Sequence, residues 1–89
     1  MPRYHFHLDD GRSFRDEEGA DFDRPEAARA EALRYLAHAL LDQAAGDWPE
    51  AGWRLTVTDE TGHEWLELQV WSAEQPRHDV PLPPSTGRP

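Results

Sequence analysis

Between Asp23 and about Ala45 apolar residues return every three to four positions. At about 100° per residue, Ala28, Ala32, Tyr35, Leu36, Ala39 and Leu40 fall on one side with Leu33 at its edge, and Glu31, Arg34, His38 and Asp42 on the other. This predicts one amphipathic helix, roughly 30 Å long. Asp23 with Glu26 three residues later reads as a capping box, and Pro25 falls in the first turn, where its missing N–H costs nothing. Gly46 reads as the stop, because glycine enters the left-handed conformation after a helix without strain.

Elsewhere the pattern alternates in twos. Tyr4, Phe6 and Leu8 against Arg3, His5 and His7 predict a half-buried strand, and Asp9-Asp10-Gly11 predicts a hairpin turn. Arg12 to Asp16 then returns as a short second strand with Phe14 pointing inward. Asp16 to Asp23 is an acidic loop, and Phe22 is placed to act as a hydrophobic staple. After the helix, Gly46 to Gly52 is a loop with Trp48 folded back onto the helix end. Trp53, Leu55 and Val57 alternate with Arg54, Thr56 and Thr58 in a third strand, and Asp59-Glu60-Thr61-Gly62 is a second turn. The fourth strand, His63 to Trp71, puts Leu66, Leu68 and Val70 on one face and Trp65, Glu67, Gln69 and Trp71 on the other.

The expected fold is α+β, ββ-α-ββ: a four-stranded antiparallel sheet in order 2-1-3-4 with one long helix packed on one face. Residues 1–71 form the single domain. From Ser72 the character changes: five of the eight prolines lie in the last 18 residues, which reads as an extended or disordered proline-rich tail, 72–89.

Composition narrows the function classes. The chain has 89 residues, one small domain, and only 37% are hydrophobic, so four Trp, three Phe and two Tyr must supply much of the core. Eighteen acids against nine bases leave a formal charge of −9, with no lysine and scattered arginines; this acidic surface would repel a phosphate backbone, so no nucleic-acid partner is expected. Without cysteine there is no disulfide framework and no thiolate site. No window approaches the roughly 18 apolar residues of a membrane span and the first residues lack a signal core, so the expectation is a cytoplasmic protein without a membrane partner.

One helix leaves the second sheet face open. That face is expected to show Arg3, His5, His7, Arg54, Trp65, Glu67 and Trp71, with Thr56, Thr58 and Gln69 between them. Tryptophans on an open face point to an interface, so the leading expectation is an interaction or regulatory module that forms a homo-oligomer or binds a protein partner. The alternative is a metal- or small-ligand-binding domain. His5 and His7 share a strand face, His63 is within reach of the same sheet, and Asp9 or Glu64 could complete a shell. His63-Glu64 does not open a zinc-protease motif, since Glu67 occupies the fifth position. The acidic run lacks the spacing of a calcium loop and suits a helix N-terminus instead. No serine has a nucleophile-elbow context and no glycine-rich phosphate loop is present, so neither an enzyme nor a cofactor is expected.

Pro2-Arg3-Tyr4-His5-Phe6-His7, Asp10-Gly11, Asp16-Glu17-Glu18-Gly19, the Ala27-to-Ala32 helix start and Val57-Thr58-Asp59-Glu60-Thr61-Gly62 together resemble a small bacterial family. It is known as domain of unknown function 6894 and is seen mostly in alphaproteobacteria. The resemblance runs from about residue 1 to 70. It implies a small α+β domain and brings no activity and no catalytic residue. The family usually carries an aromatic where this chain has His5, so the His5/His7 pair is not a family-wide feature.

Overall fold

The computed structural model describes residues 2–73. Tyr4, Phe6 and Leu8, the apolar set of the first strand, are all buried, and this strand, β1 (Arg3–Asp9), lies inside the sheet. On one side it pairs with β4 (Trp53–Asp59), which pairs in turn with β5 (Glu64–Val70). On the other side lie two-residue strands, β2 (Ser13–Phe14) and β3 (Ala20–Asp21), one at each end of β1. Every pairing is antiparallel, and the order β2-β1-β4-β5 is the expected 2-1-3-4 with β3 added. β3 and β4 both run against β1, so the helix between them, α1 (Pro25–Asp42), is a crossover above β1.

Ala28, Ala32 and Leu36 are the buried stripe of α1, flanked by partly buried Tyr35, Ala39 and Leu40, as the periodicity predicts. The small alanines let the backbone approach Leu55 and Val57, both fully buried at the centre of the sheet. Both expected helix ends are corrected. Arg24, not Asp23, is the N-cap and makes no side-chain cap, so the Asp23/Glu26 box does not form. Pro25 at the first helical position sets the start instead. At the other end the chain leaves through Gln43 with tight bonds from Gln43 N–H to Leu40 O and from Ala44 N–H to Leu41 O. Gly46 is not left-handed, because these turns have already used the last carbonyls.

Two aromatic placements also depart from simple alternation. Val57 pairs with Leu66 but Thr58 pairs with Glu64, so Trp65 is the extra residue of a β-bulge. The bulge turns Trp65 away from the open face and onto Tyr4, with ring centroids 5.6 Å apart. Phe14 is exposed at 42%, its ring under the Arg12 guanidinium at 5.2 Å, because a two-residue strand at the sheet margin has no helix above it. Phe22 packs toward the other end of β1, 6.1 Å from the Tyr4 ring and 6.0 Å from the Phe6 ring, so it anchors on the sheet. The expected tail lies outside the described residues apart from Ser72 and Ala73.

Candidate functional site

The side of β1 that faces β2 and β3 is closed along its length by an unusual device. Leu8 pairs with Phe14 at one end and Tyr4 with Ala20 at the other. Between them no strand residue reaches Phe6, and the Asp16 carboxylate takes its place, with Oδ2 accepting the Phe6 N–H at 3.1 Å. Oδ1 accepts the N–H groups of Gly19 at 3.0 Å and Glu18 at 3.2 Å, which folds residues 16–19 into a tight turn. Burial would raise the Asp16 pKa, but the three N–H donors outweigh it and hold the carboxyl below its usual range. Gly19 completes the turn at φ +74, where an added Cβ would lie 2.8 Å from the Tyr4 carbonyl oxygen. In the sequence Asp16 is one acid among several in the run from Asp16 to Asp23. Its one local signal is the Asp-x-x-Gly spacing to Gly19.

His5 and His7 lean on the same turn, their rings stacked with centroids 6.2 Å apart. The Asp16 N–H can only donate, so His7 Nδ1, at 3.1 Å, is the acceptor and stays unprotonated. Nε2 then carries the hydrogen and donates it to the Thr58 hydroxyl at 3.1 Å. Burial, with help from the Arg15 guanidinium, pushes the His7 pKa below its usual value against the opposing pull of Asp16 and Glu64. His5 Nδ1 faces the Asp16 carbonyl at 3.0 Å and is the donor there. The His7 lone pair a metal would need is therefore spent on a backbone amide. His63 sits beyond the β4–β5 turn, its own N–H held by Asp59 Oδ1 at 3.0 Å. Among the described residues no group of three or more His, Cys, Asp or Glu side chains is arranged to hold a metal ion.

The remaining expected interface residues divide. Arg3 is turned to the sheet margin, 3.1 Å from Asp21 and donating to the Glu18 carbonyl at 2.7 Å. Arg54 and Glu67 form a diagonal cross-strand pair at 3.3 Å on the open face. A hollow of about 230 Å³ lies over His7, Thr56, Arg15 and Arg54, where Asp9 and Glu64 balance the two arginines. Trp65 is inside, and Trp71 alone of the two tryptophans stays exposed, at 49%.

The open face is thus mostly polar and bonded to itself; the apolar surface is elsewhere. Leu40, Leu41, Ala44, Trp48, Trp53, Val70 and Ser72 line a groove of about 320 Å³ at the C-terminal end of α1. Trp48 folds back as expected, its indole N–H donating to Gln43 O at 2.9 Å, and its ring meets Trp53 edge-on at 6.1 Å. Leu41 is 71% and Trp48 47% exposed. The groove went unseen in the sequence because four separate segments build it.

The model of the family described as Domain of unknown function (DUF6894) matches residues 3–71. The chain belongs to this family. The matched DUF6894 span contains the five strands and the helix found among the described residues, so the Asp16 turn, the open face and the groove all lie within it except for Ser72. No curated protein and no solved structure matches the chain.

Proposed function

We propose that this DUF6894 domain is a protein-interaction module that works through the groove end of the molecule, by binding a protein partner or a second copy of itself. The observation that carries this reading is the exposed Leu41 and Trp48 on the walls of one apolar groove. Large apolar side chains gathered at one place and rimmed by polar residues mark contact surfaces, and tryptophan is enriched among residues that dominate binding energy. Asp47 and Glu50 supply such a rim, and Trp71 stands between the groove residues Val70 and Ser72 in the chain. The polar face adds Arg54 and Glu67 to one side, where such pairs steer and select partners more than they hold them.

The test is size-exclusion chromatography with light scattering, and affinity capture from the native host, on the full chain and on Leu41→Arg. Leu41 is exposed, so the variant should keep its circular dichroism and its melting temperature within a few degrees. Loss in Leu41→Arg of a dimer or captured protein seen with the natural sequence is the expected result. A dimer or captured protein that Leu41→Arg retains at full affinity would sink the reading, as would a chain that stays monomeric and captures nothing even when Val80→Asp/Leu82→Asp removes the apolar tail side chains that compete for the groove.

A further inference from the structure

We propose that the resting occupant of the groove is the chain's own Val80-Pro81-Leu82-Pro83-Pro84, docked in cis. This rests on the reading of the groove as a docking surface and names what fills it. The described chain ends at the groove itself, since Ser72 is one of its walls and Ala73 the next residue. Sixteen residues follow, and Val80 and Leu82 are the only large aliphatic side chains among them. Six residues separate Ala73 from Val80, which at about 3.3 Å each allow a reach of roughly 20 Å, enough to double back from Ser72.

The chemistry of the two surfaces matches. Prolines offer flat apolar rings at low entropic cost and recognise aromatic-lined grooves, and here Trp48 and Trp53 meet edge-on as two of the walls. Proline-rich backbone also presents carbonyls without competing N–H groups.

Indole N–H resonances of the four tryptophans, recorded on the full chain and on full-length Val80→Asp/Leu82→Asp, test this directly. The Trp48 and Trp53 signals should move while that of Trp65, which packs on Tyr4 instead, stays in place. A synthetic peptide of residues 78–86 added to the variant should move them back. Unchanged Trp48 and Trp53 signals in the variant would overturn the proposal and leave the docking reading to be judged by Leu41→Arg. A shift that disappears on dilution of the natural chain, as a dimer dissociates, would also overturn it, since the segment would then come from a second copy.

Discussion

At the scale of single residues, Asp16 and His7 do more than their place in a polar sequence suggests. Asp16 bonds three backbone N–H groups, so Asp16→Ala strands all three at once. Water reaches part of the turn, which keeps the expected loss to about 2 kcal/mol rather than the sum of three buried bonds. Chemical denaturation would measure it, and Asp16→Asn should recover part of the loss because an amide oxygen still accepts. His7 adds a dependence on pH. Its pKa is depressed in the folded chain, so between its ordinary value of about 6.5 and the lower folded value the unfolded chain binds more protons. Its stabilising contribution is therefore full above pH 6.5 and declines as pH falls toward the folded value. Asp16, also depressed, adds a second decline below its ordinary value of about 4. Melting temperature against pH should fall in both windows, and His7→Gln should flatten the upper one alone. An unchanged upper slope in that variant would refute the role of His7.

At the scale of elements, the bulge in β5 decides which tryptophan is structural. Trp65 packs on Tyr4 with the core, whereas Trp71 is half exposed after the strand ends. Trp65→Ala should cost about 3 kcal/mol, near the lower end for a large aromatic because Trp65 is only partly buried, and Trp71→Ala less than about 1 kcal/mol. Equal losses in a denaturation series would mean that the bulge does not turn Trp65 inward. The Asp16 turn likewise acts on a whole element, since it covers the stretch of β1 that neither β2 nor β3 pairs. Gly19→Ala forces a Cβ against the Tyr4 carbonyl at a positive φ, so it should cost more than about 1 kcal/mol. Hydrogen exchange at the Phe6 amide should accelerate in the same variant, which a remote loss of stability confined to α1 would not produce.

At the scale of the molecule, charge opposes packing. A formal −9 on 89 residues repels itself, while ion pairs such as Arg3–Asp21 and Arg54–Glu67 are exposed and individually weak. Salt screens both, and the repulsion is the larger quantity because it sums over nine unbalanced charges. The melting temperature should therefore rise by a few degrees between about 20 and 200 mM NaCl, where the screening length falls from about 20 to below 10 Å. A fall would show that the paired charges dominate.

The sequence alone determined the central helix, the strands on either side of it, their order and the buried set from Tyr4 to Val57, because hydrophobic periodicity is a local property that burial then enforces. It also carried the motifs by which residues 3–71 match DUF6894. Tertiary structure decided what depends on residues far apart in the chain. A strand only two residues long, β3, exists because β1 offers it a partner, and the Asp23 cap gave way to Pro25 and the entry from β3. Trp65 left the open face because pairing with β4 needed one extra residue. The groove arises where the end of α1, the Trp48 loop, the start of β4 and the end of β5 converge. No pattern within one segment encodes such a meeting, since each wall is set by packing against the others.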